Sequence, residues 1–319
     1  MSLIDLEGLP GGSDAWLFPG QGAQQPRMSL DFADEHQEVR DIFTQADQIL
    51  GFALSDLIND GPEEELQRTV NTQPAVFVAS LAALKGAELK VSATGLSRPL
   101  FVAGHSLGEY SAVVAAGSLS FADGLQLVSE RARVMQEASE QRAGTLAALL
   151  GADLEQAKAL CEATGSEVCN INAPGQIVIG GPIEAIEAAG ERARDLGIKR
   201  VMPLKVGGAF HTSLMKPAAA ALSSYLAGVD FAKPEIPIVG NGRAEPLTTG
   251  ESVREELTYQ LDHPVLWEES VRRMVDGGVR RLVEFGPGSV LTGMVKRIAP
   301  EAEVMNVSSL ADLASAVPS

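Results

Sequence analysis

Short apolar runs that suit β-strands alternate along this chain with longer segments of helical periodicity. The runs "AWLF", "PLFVAG" and "RRLVEF" predict buried strands, whereas "EVRDIFTQADQILG" and "SVLTGMVKRIAP" repeat apolar residues at helical spacing. The segment "TQPAVFVASLAALKGAEL" is a further apolar helix, with Pro74 expected in its first turn. Strands that alternate with helices favour a mainly parallel sheet with helices on both faces. The expected fold class is therefore α/β.

The middle of the chain follows a different order of elements. Residues 144–206 predict strand, helix, two strands, helix and strand, from "GTLAALLG" to "KRVMPLKV". This βαββαβ order is that of the ferredoxin-like fold. We expect a smaller domain at 141–207, inserted into a larger domain made of 14–140 and 208–319. The first residues, 1–13, are rich in Gly, Pro and Asp and are expected to form a flexible leader.

Composition and charge exclude several classes of protein. The chain has 319 residues, of which 45% are hydrophobic and 21% charged, as in soluble globular proteins. A net charge of −17 argues against a nucleic-acid partner and against an anionic membrane surface. Cys161 and Cys169 lack metal-ligand or redox spacing, so we expect buried thiols. The start of the chain lacks the features of a secretory signal, which favours a cytoplasmic protein.

The stretch "AGHSLGEYSA" places Ser106 between two glycines. It matches the G-x-S-x-G pattern of a nucleophile elbow, in which a tight turn between a strand and a helix exposes a serine oxygen. Glycines around a serine often mark only a turn, so the short match decides little by itself. The predicted strand "PLFVAG" before it and the helix "EYSAVVAAG" after it favour the elbow.

A nucleophilic serine needs a base to remove its proton, and the chain offers four histidines. His36 lies in an acidic stretch and is expected to be solvated, and His105 adjoins Ser106 and suits local packing or hydrogen bonding. His263 precedes a proline and suits a structural role. His211 lies in the loop "VGGAFHTS" between a predicted strand and a helix, where active-site residues of α/β folds gather. No aspartate stands out as a third member, so an amide or a backbone carbonyl is expected to hold the base.

An acyl-transfer site also needs donors for the oxyanion. The backbone N–H of Leu107 follows the serine at a helix start. The loop "PGQGAQ" offers the N–H of Gln21, because Gly20 and Gly22 allow close approach. The loop lacks the Lys-Ser/Thr ending of a P-loop and does not fit a nucleotide-phosphate site.

A series of motifs resembles one family along almost the whole chain, from Trp16 to the final helix. They are "FPGQGAQ", "NTQPA", "GHSLGEYSA", "SERARVMQEA", "NAPGQIVIGG", "GAFHTSLMKP", "QLDHPVLW" and "EFGPGSVLTG". In this order they resemble the malonyl-CoA:acyl carrier protein transacylases, which are related to the acyltransferase domains of polyketide synthases. Members of that family have a hydrolase-like α/β domain interrupted by a ferredoxin-like domain, the arrangement expected above.

The resemblance implies roles for the candidate site residues. Ser106 corresponds to the acylated nucleophile and His211 to the general base. Gln260 corresponds to the glutamine whose backbone carbonyl orients that histidine, and Gln21 and Leu107 to the oxyanion donors.

The resemblance also implies substrate contacts. Arg131 corresponds to the arginine that pairs with the free malonyl carboxylate, and a planar guanidinium can satisfy both carboxylate oxygens. Without the resemblance, Arg131 and Arg133 would suit a solvated helix face beside neighbouring glutamates. Gln73, in "NTQPA", is placed among the substrate-binding residues. Phe210 resembles the bulky residue of malonyl-selective members, so malonyl is expected over methylmalonyl.

The implied reaction is a ping-pong transfer in fatty acid or polyketide synthesis. A malonyl group passes from the coenzyme A thioester malonyl-CoA to Ser106 and then to the phosphopantetheine thiol carried by an acyl carrier protein, with no metal and no bound cofactor. The enzyme is expected to be a monomer. Two alternatives remain, a thioester hydrolase with the same Ser-His pair and a docking protein without catalysis.

The negative charge of the chain bears on the expected partner. Carrier proteins are usually acidic, so an enzyme with a net charge of −17 needs a local basic patch to attract one. The candidates for this patch are Lys216, Arg243, Lys296 and Arg297.

Overall fold

A computed structural model describes residues 3–204 and 206–315 of the chain. Their β-strands form a six-stranded sheet and a four-stranded sheet. The strands are β1 (Asp14–Phe18), β2 (Phe101–Gly104), β3 (Thr145–Leu150), β4 (Glu167–Ala173), β5 (Gln176–Gly181), β6 (Arg200–Pro203), β7 (Ile238–Val239), β8 (Pro246–Leu247), β9 (Arg281–Phe285) and β10 (Glu303–Val307).

The α-helices of the described residues pack around these sheets. They are α1 (Leu30–Glu35), α2 (Gln37–Leu50), α3 (Leu54–Asp60), α4 (Glu63–Gln67), α5 (Thr69–Leu89), α6 (Val91–Thr94), α7 (Gly108–Ala115), α8 (Phe121–Gln141), α9 (Leu154–Thr164), α10 (Ile183–Arg192), α11 (Lys216–Leu226), α12 (Gly250–Tyr259), α13 (Trp267–Asp276), α14 (Val290–Ile298) and α15 (Leu310–Ser315). Short 3₁₀ helices lie at Ala193–Leu196, Ser213–Met215 and Gln260–Asp262.

The larger sheet is mainly parallel, as the alternating pattern predicts. Its strand order is β10-β9-β1-β2-β7-β8, and the pairing is parallel except between β7 and β8. Successive residues of β1 enter two different hydrophobic clusters. Trp16 and Phe18 join the cluster that contains α5 and α7, whereas Ala15 and Leu17 join the one that contains α13 and α14. Both faces of the sheet are therefore covered by helices.

This topology positions the candidate site. Ligands of parallel α/β sheets bind beyond the carboxyl ends of the strands. The segment "PGQGAQ" follows β1, Ser106 follows β2 and Asn241 follows β7, and these three strands are neighbours in the order β1-β2-β7. The three loops therefore meet at one edge.

The four-stranded sheet is formed by the predicted middle segment. The elements β3, α9, β4, β5, α10 and β6 follow one another, and the strands lie in the order β4-β5-β3-β6 with antiparallel pairing. One face packs on its own helices through residues such as Leu149, Leu160 and Ile186. On the other face, Leu146 and Val178 join the core of the larger sheet. The main hydrophobic core therefore continues from the larger sheet to one face of the smaller sheet.

The expectation of a flexible leader at 1–13 is wrong for the residues that the structure describes, 3–13. Ile4, Leu6 and Leu9 are buried in the main hydrophobic core. The carbonyl of Pro10 accepts a hydrogen bond from the Arg98 N–H at 2.8 Å. The Gly, Pro and Asp content marks turns here, while the apolar residues between them hold the segment in place.

Two smaller expectations also differ from the structure. Helix α5 begins at Thr69, so Pro74 lies inside the helix instead of in its first turn. Pro74 has no N–H for the helical hydrogen bond, and the burial of almost every residue of α5 compensates for that loss. His36 joins α1 and α2, and only 18% of its side chain is exposed instead of the solvated position expected.

The expectation for the two cysteines is confirmed. Cys161 and Cys169 are buried and form no disulfide. Within the described ranges, no helix has both the length and the apolar character needed to cross a bilayer.

The packed N-terminal segment leads to a first prediction. Leu6→Ala removes a side chain that is only 3% exposed and should lower the free energy of unfolding by about 2 kcal/mol. Urea unfolding of the purified protein measures this change. Glu7→Ala is the matched control, because Glu7 is exposed and should leave the midpoint unchanged. Equal midpoints for the two variants would show that the segment contributes no stability.

Candidate active site

Ser106 occupies the elbow that the sequence predicts, between β2 and α7. Its φ of 53° lies in the left-handed region that L-residues rarely adopt, so the surrounding structure must hold it there. A Cβ on Gly104 would lie 1.9 Å from the carbonyl carbon of Gly108, and a Cβ on Gly108 would lie 2.0 Å from the carbonyl oxygen of Phe18. Both glycines of the motif are therefore required by close backbone approach.

Asn241 holds the elbow from the neighbouring strand. Its Oδ1 accepts the Ser106 N–H at 2.6 Å, and its Nδ2 donates to the Gly104 carbonyl at 2.7 Å. Asn241 is fully buried. Asn241 carries little signal in the sequence, apart from its place in "VGNG", two residues after the end of β7.

His211 is the histidine that the structure brings to Ser106. Its Nε2 lies 2.7 Å from Ser106 Oγ, and its Nδ1 donates to the backbone carbonyl of Gln260 at 3.0 Å. That second bond places the proton on Nδ1 and leaves Nε2 free to accept the serine proton. The expected third member of the site is thus a backbone carbonyl.

The environment keeps His211 neutral. Burial, and then the positive charge of Arg131, lower the pKa of His211 from 6.5 to about 3. Since a general base must be unprotonated to act, this imidazole is competent throughout the neutral pH range.

Arg131 is buried beside Ser106 instead of lying on a solvated face. One of its terminal nitrogens donates to Ser106 Oγ and to Gln260 Oε1, both at 3.1 Å, and the other donates to Gln73 Oε1 at 2.5 Å. The guanidinium also lies over the ring of Tyr110, 5.1 Å from its centre. Among the described residues, the hydrogen-bond acceptors of Arg131 are one serine and two glutamines, so its positive charge has no hydrogen-bonded acid beside it.

The solvated-face description fits Arg133 instead. Its guanidinium pairs with Glu130 and Glu137 on the exposed side of α8. Two arginines two residues apart therefore have opposite environments, since positions i and i+2 lie on different faces of a helix.

The backbone donors expected for an oxyanion are available. The Leu107 N–H lies at the start of α7, and the Gln21 N–H lies in the loop after β1. Within the described ranges, neither N–H has an intramolecular acceptor. The Ser106 N–H, in contrast, is occupied by Asn241.

These residues surround a cavity of about 240 Å³ at the junction of the two sheets. Gln21, Ser106, Arg131 and His211 contribute polar groups to it, and Phe210 lines it directly. Its apolar lining also includes Met135, Leu146, Val178, Leu204, Val206, Leu291 and Met294. Among the described residues, no cluster of His, Cys, Asp or Glu could hold a metal ion.

Gln73 and Gln260 act behind this cavity and do not line it. Gln73, on α5, is fully buried and contacts Arg131 and the sulfur of Met135. Gln260 supplies its backbone carbonyl to His211 and its side-chain oxygen to Arg131. Both glutamines therefore act on the cavity through other residues.

His105 and His263 have the structural roles expected of them. His105 shares a hydrogen bond of 2.8 Å with Asn172 on β4 and packs its ring edge-on against Trp267. His263 adopts the extended backbone that the following proline favours and stacks on Tyr259.

A comparison with protein families shows the family to which this chain belongs. The family described as the acyl transferase domain matches residues 15–314. The chain belongs to the acyl transferase domain family. This membership agrees with the serine, histidine and paired backbone donors found here.

Individual relatives are similar over nearly their whole length. The malonyl CoA-acyl carrier protein transacylase of Bacillus subtilis is 41% identical over 299 residues, which covers 92% of this chain and 93% of the relative. The Escherichia coli K12 protein of the same name is 44% identical over 288 residues, covering 89% and 92%.

Solved structures are similar to the same extent. The solved structure of a type II polyketide synthase acyl-carrier protein in complex with its malonyl-transacylase contains a chain that matches this one with a TM-score of 0.91 at 39% identity. The match covers 96% of this chain and 99% of the matched chain. An acyl carrier protein S-malonyltransferase from Vibrio cholerae gives 0.90 at 40% identity, covering 95% and 99%.

The depressed pKa of His211 leads to a second prediction. Labelling of Ser106 by a serine-reactive fluorophosphonate should keep a constant rate from about pH 8 to about pH 5, because His211 stays neutral until the pH approaches its pKa of about 3. Intact-protein mass spectrometry follows the labelling, and Ser106→Ala controls for other sites. A rate that falls with a midpoint near the ordinary histidine pKa of 6.5 would contradict the assignment.

Proposed function

We propose that this protein transfers a malonyl group from malonyl-CoA to the phosphopantetheine thiol of an acyl carrier protein. The observation that carries the proposal is the buried Arg131 guanidinium, 3.1 Å from the oxygen of a serine that is paired with a neutral histidine. The names of the similar enzymes support the same reaction.

The first half-reaction forms an ester on the serine. His211 Nε2 takes the Ser106 Oγ proton as Oγ attacks the thioester carbonyl, and the Gln21 and Leu107 N–H groups stabilise the oxyanion. The C–S bond then breaks, His211 returns its proton to the coenzyme A sulfur, and malonyl remains on Ser106. This sequence requires neither a metal nor a bound cofactor.

The second half-reaction repeats these steps with a different nucleophile. His211 takes the proton of the phosphopantetheine thiol, and the sulfur attacks the seryl ester in the same oxyanion site. The C–O bond breaks and His211 returns the proton to Ser106 Oγ. The serine is regenerated, and the carrier leaves as a malonyl thioester.

Arg131 gives the reaction its substrate class. In the cavity its guanidinium has neutral partners, so a malonyl carboxylate would supply the missing negative charge through a bidentate pair. A thioester hydrolase for plain acyl chains has no use for a buried cation at this place, and the comparisons give that alternative no support. Phe210 lines the cavity, and a bulky side chain in the acyl site would favour malonyl over methylmalonyl.

We propose the same domain division as the sequence suggests. A ferredoxin-like insert at 141–207 interrupts a hydrolase-like domain of 14–140 and 208–319. The strand order β4-β5-β3-β6 supports this division. It places the first and third strands of the βαββαβ unit, β3 and β5, side by side in the centre of the sheet. We further propose that the enzyme acts in the cytoplasm as a monomer.

The expected basic patch for the carrier falls into two pairs of cations. Lys216 and Arg243 line one groove together with Tyr259. Lys296 and Arg297 lie in the last turn of α14, whose first turn lines the cavity. The guanidinium of Arg297 also donates to backbone and side-chain oxygens of the turn between β4 and β5. Both pairs are therefore kept as candidates for holding a carrier.

A third prediction separates the two arginines of α8. Arg131→Ala should lower the rate of malonyl loading from malonyl-CoA about 10- to 100-fold, the range of one charge-assisted pair, and leave acetyl loading unchanged or faster. Intact-protein mass spectrometry after brief mixing measures both adducts. Arg133→Ala is the matched control, because its guanidinium points to solvent. A malonyl preference that survives in Arg131→Ala would remove the carboxylate argument.

A fourth prediction tests the carrier patch. Charge reversal at Lys296 and Arg297 should slow malonyl transfer to carrier protein severalfold at low salt, with no change in loading from malonyl-CoA. The same reversal at Lys216 and Arg243 tests the second pair. Equal losses in both half-reactions would show that the substitutions disturb the cavity and do not weaken docking.

A further inference from the structure

The Gln260 carboxamide uses all of its hydrogen-bonding groups although it is fully buried. Its Nε2 donates to the Ser106 carbonyl at 2.8 Å and to Glu109 Oε2 at 2.5 Å. Its Oε1 accepts from Arg131 at 3.1 Å. One side of the amide therefore faces acceptors and the other faces a cation.

This arrangement permits only one orientation of the amide. If the group were flipped, its oxygen would face the oxygens of Ser106 and Glu109, and its NH₂ would face the guanidinium of Arg131. The contacts with the Ser106 carbonyl and with the guanidinium would be repulsive. Glu109 adds a second acceptor, which favours the orientation in which the oxygen of Gln260 points at Arg131.

Glu109 has the chemistry of a fixed acceptor. It lies in the first turn of α7 and is fully buried, and its Oε1 has no hydrogen-bond partner among the described residues. Burial, and then the charge of Glu256, raise the pKa of Glu109 well above its ordinary value. A carboxyl protonated on Oε1 still accepts the Gln260 N–H through Oε2, so the acceptor persists without a buried charge.

We propose that Glu109 is a positioning residue for malonyl recognition, which holds Arg131 beside Ser106 by orienting the Gln260 carboxamide. The inference rests on the proposed function, because it assigns a role in selecting a carboxylated acyl group. A competing account would make Glu109 only a favourable acidic residue at a helix N-terminus, which any first-turn acid can be. The two accounts differ in whether Arg131 depends on Glu109.

The test compares two substitutions of Glu109 in the full chain. Glu109→Gln keeps an acceptor oxygen and resembles the neutral acid, whereas Glu109→Met keeps the length and removes the acceptor. Initial rates of Ser106 loading from malonyl-CoA and acetyl-CoA give the selectivity as a ratio. We expect Glu109→Met to lower this ratio about tenfold, the factor of one charge-assisted hydrogen bond, and Glu109→Gln to stay within about twofold.

Glu256→Gln is the matched control. Glu256 is also a buried acid, one helical turn before Gln260, but its Oε1 accepts the Gly242 N–H and it has no hydrogen bond to the Gln260 side chain among the described residues. Its substitution should leave the malonyl-to-acetyl ratio unchanged.

The outcomes separate the inference from the proposed function. Equal slowing of both substrates in Glu109→Met, with the ratio unchanged, would overturn the inference. If that variant does not fold, Gln260→Met removes the carboxamide and keeps the backbone carbonyl that holds His211, and the same fall in ratio is expected. An unchanged ratio there would also overturn it. Failure of the unsubstituted protein to load malonyl on Ser106 would instead refute the proposed function, on which the inference depends.

Discussion

The strained backbone of Ser106 is the constraint on which the rest of the site depends. A residue at φ 53° is stable only if its neighbours leave no alternative. Here the Asn241 side chain forms hydrogen bonds with the backbone of Ser106 and of Gly104. The backbone around Gly104 and Gly108 is also packed so closely that neither position has room for a Cβ atom. These contacts require β1, β2 and β7 to end at one level, so the register of the parallel sheet determines where the serine oxygen lies.

The second constraint is a buried positive charge with neutral hydrogen-bond partners. Burying an unpaired cation costs several kcal/mol, about the scale of the whole stability of a domain. The two glutamines and the Tyr110 ring offset part of this cost by hydrogen bonding and by cation–π attraction. Burial lowers the pKa of His211 most, and the same charge lowers it further. In the proposed reaction one guanidinium thus contributes both to an anion site and to the neutrality of the base, although the chain as a whole carries −17.

The sequence was informative where function depends on local geometry. The elbow at Ser106, the loop of His211 and the strand before each could be recognised because turns and buried strands leave short-range patterns. Asn241 and Glu109 could not be selected, because their partners lie 135 and 151 residues away and only folding joins them. The N-terminal segment was misjudged for a similar reason, since its turn residues are local signals whereas the burial of Leu6 is a tertiary effect.

The two kinds of acyl discrimination in this cavity have unequal physical limits. A site that rejects one additional methyl group by shape, as proposed for Phe210, gains only about 1–3 kcal/mol. A site that leaves a buried charge unpaired penalises the wrong substrate more strongly, because the cost is one of desolvation. In the proposed reaction acetyl is therefore rejected by the desolvation cost at Arg131, whereas methylmalonyl is rejected only by shape.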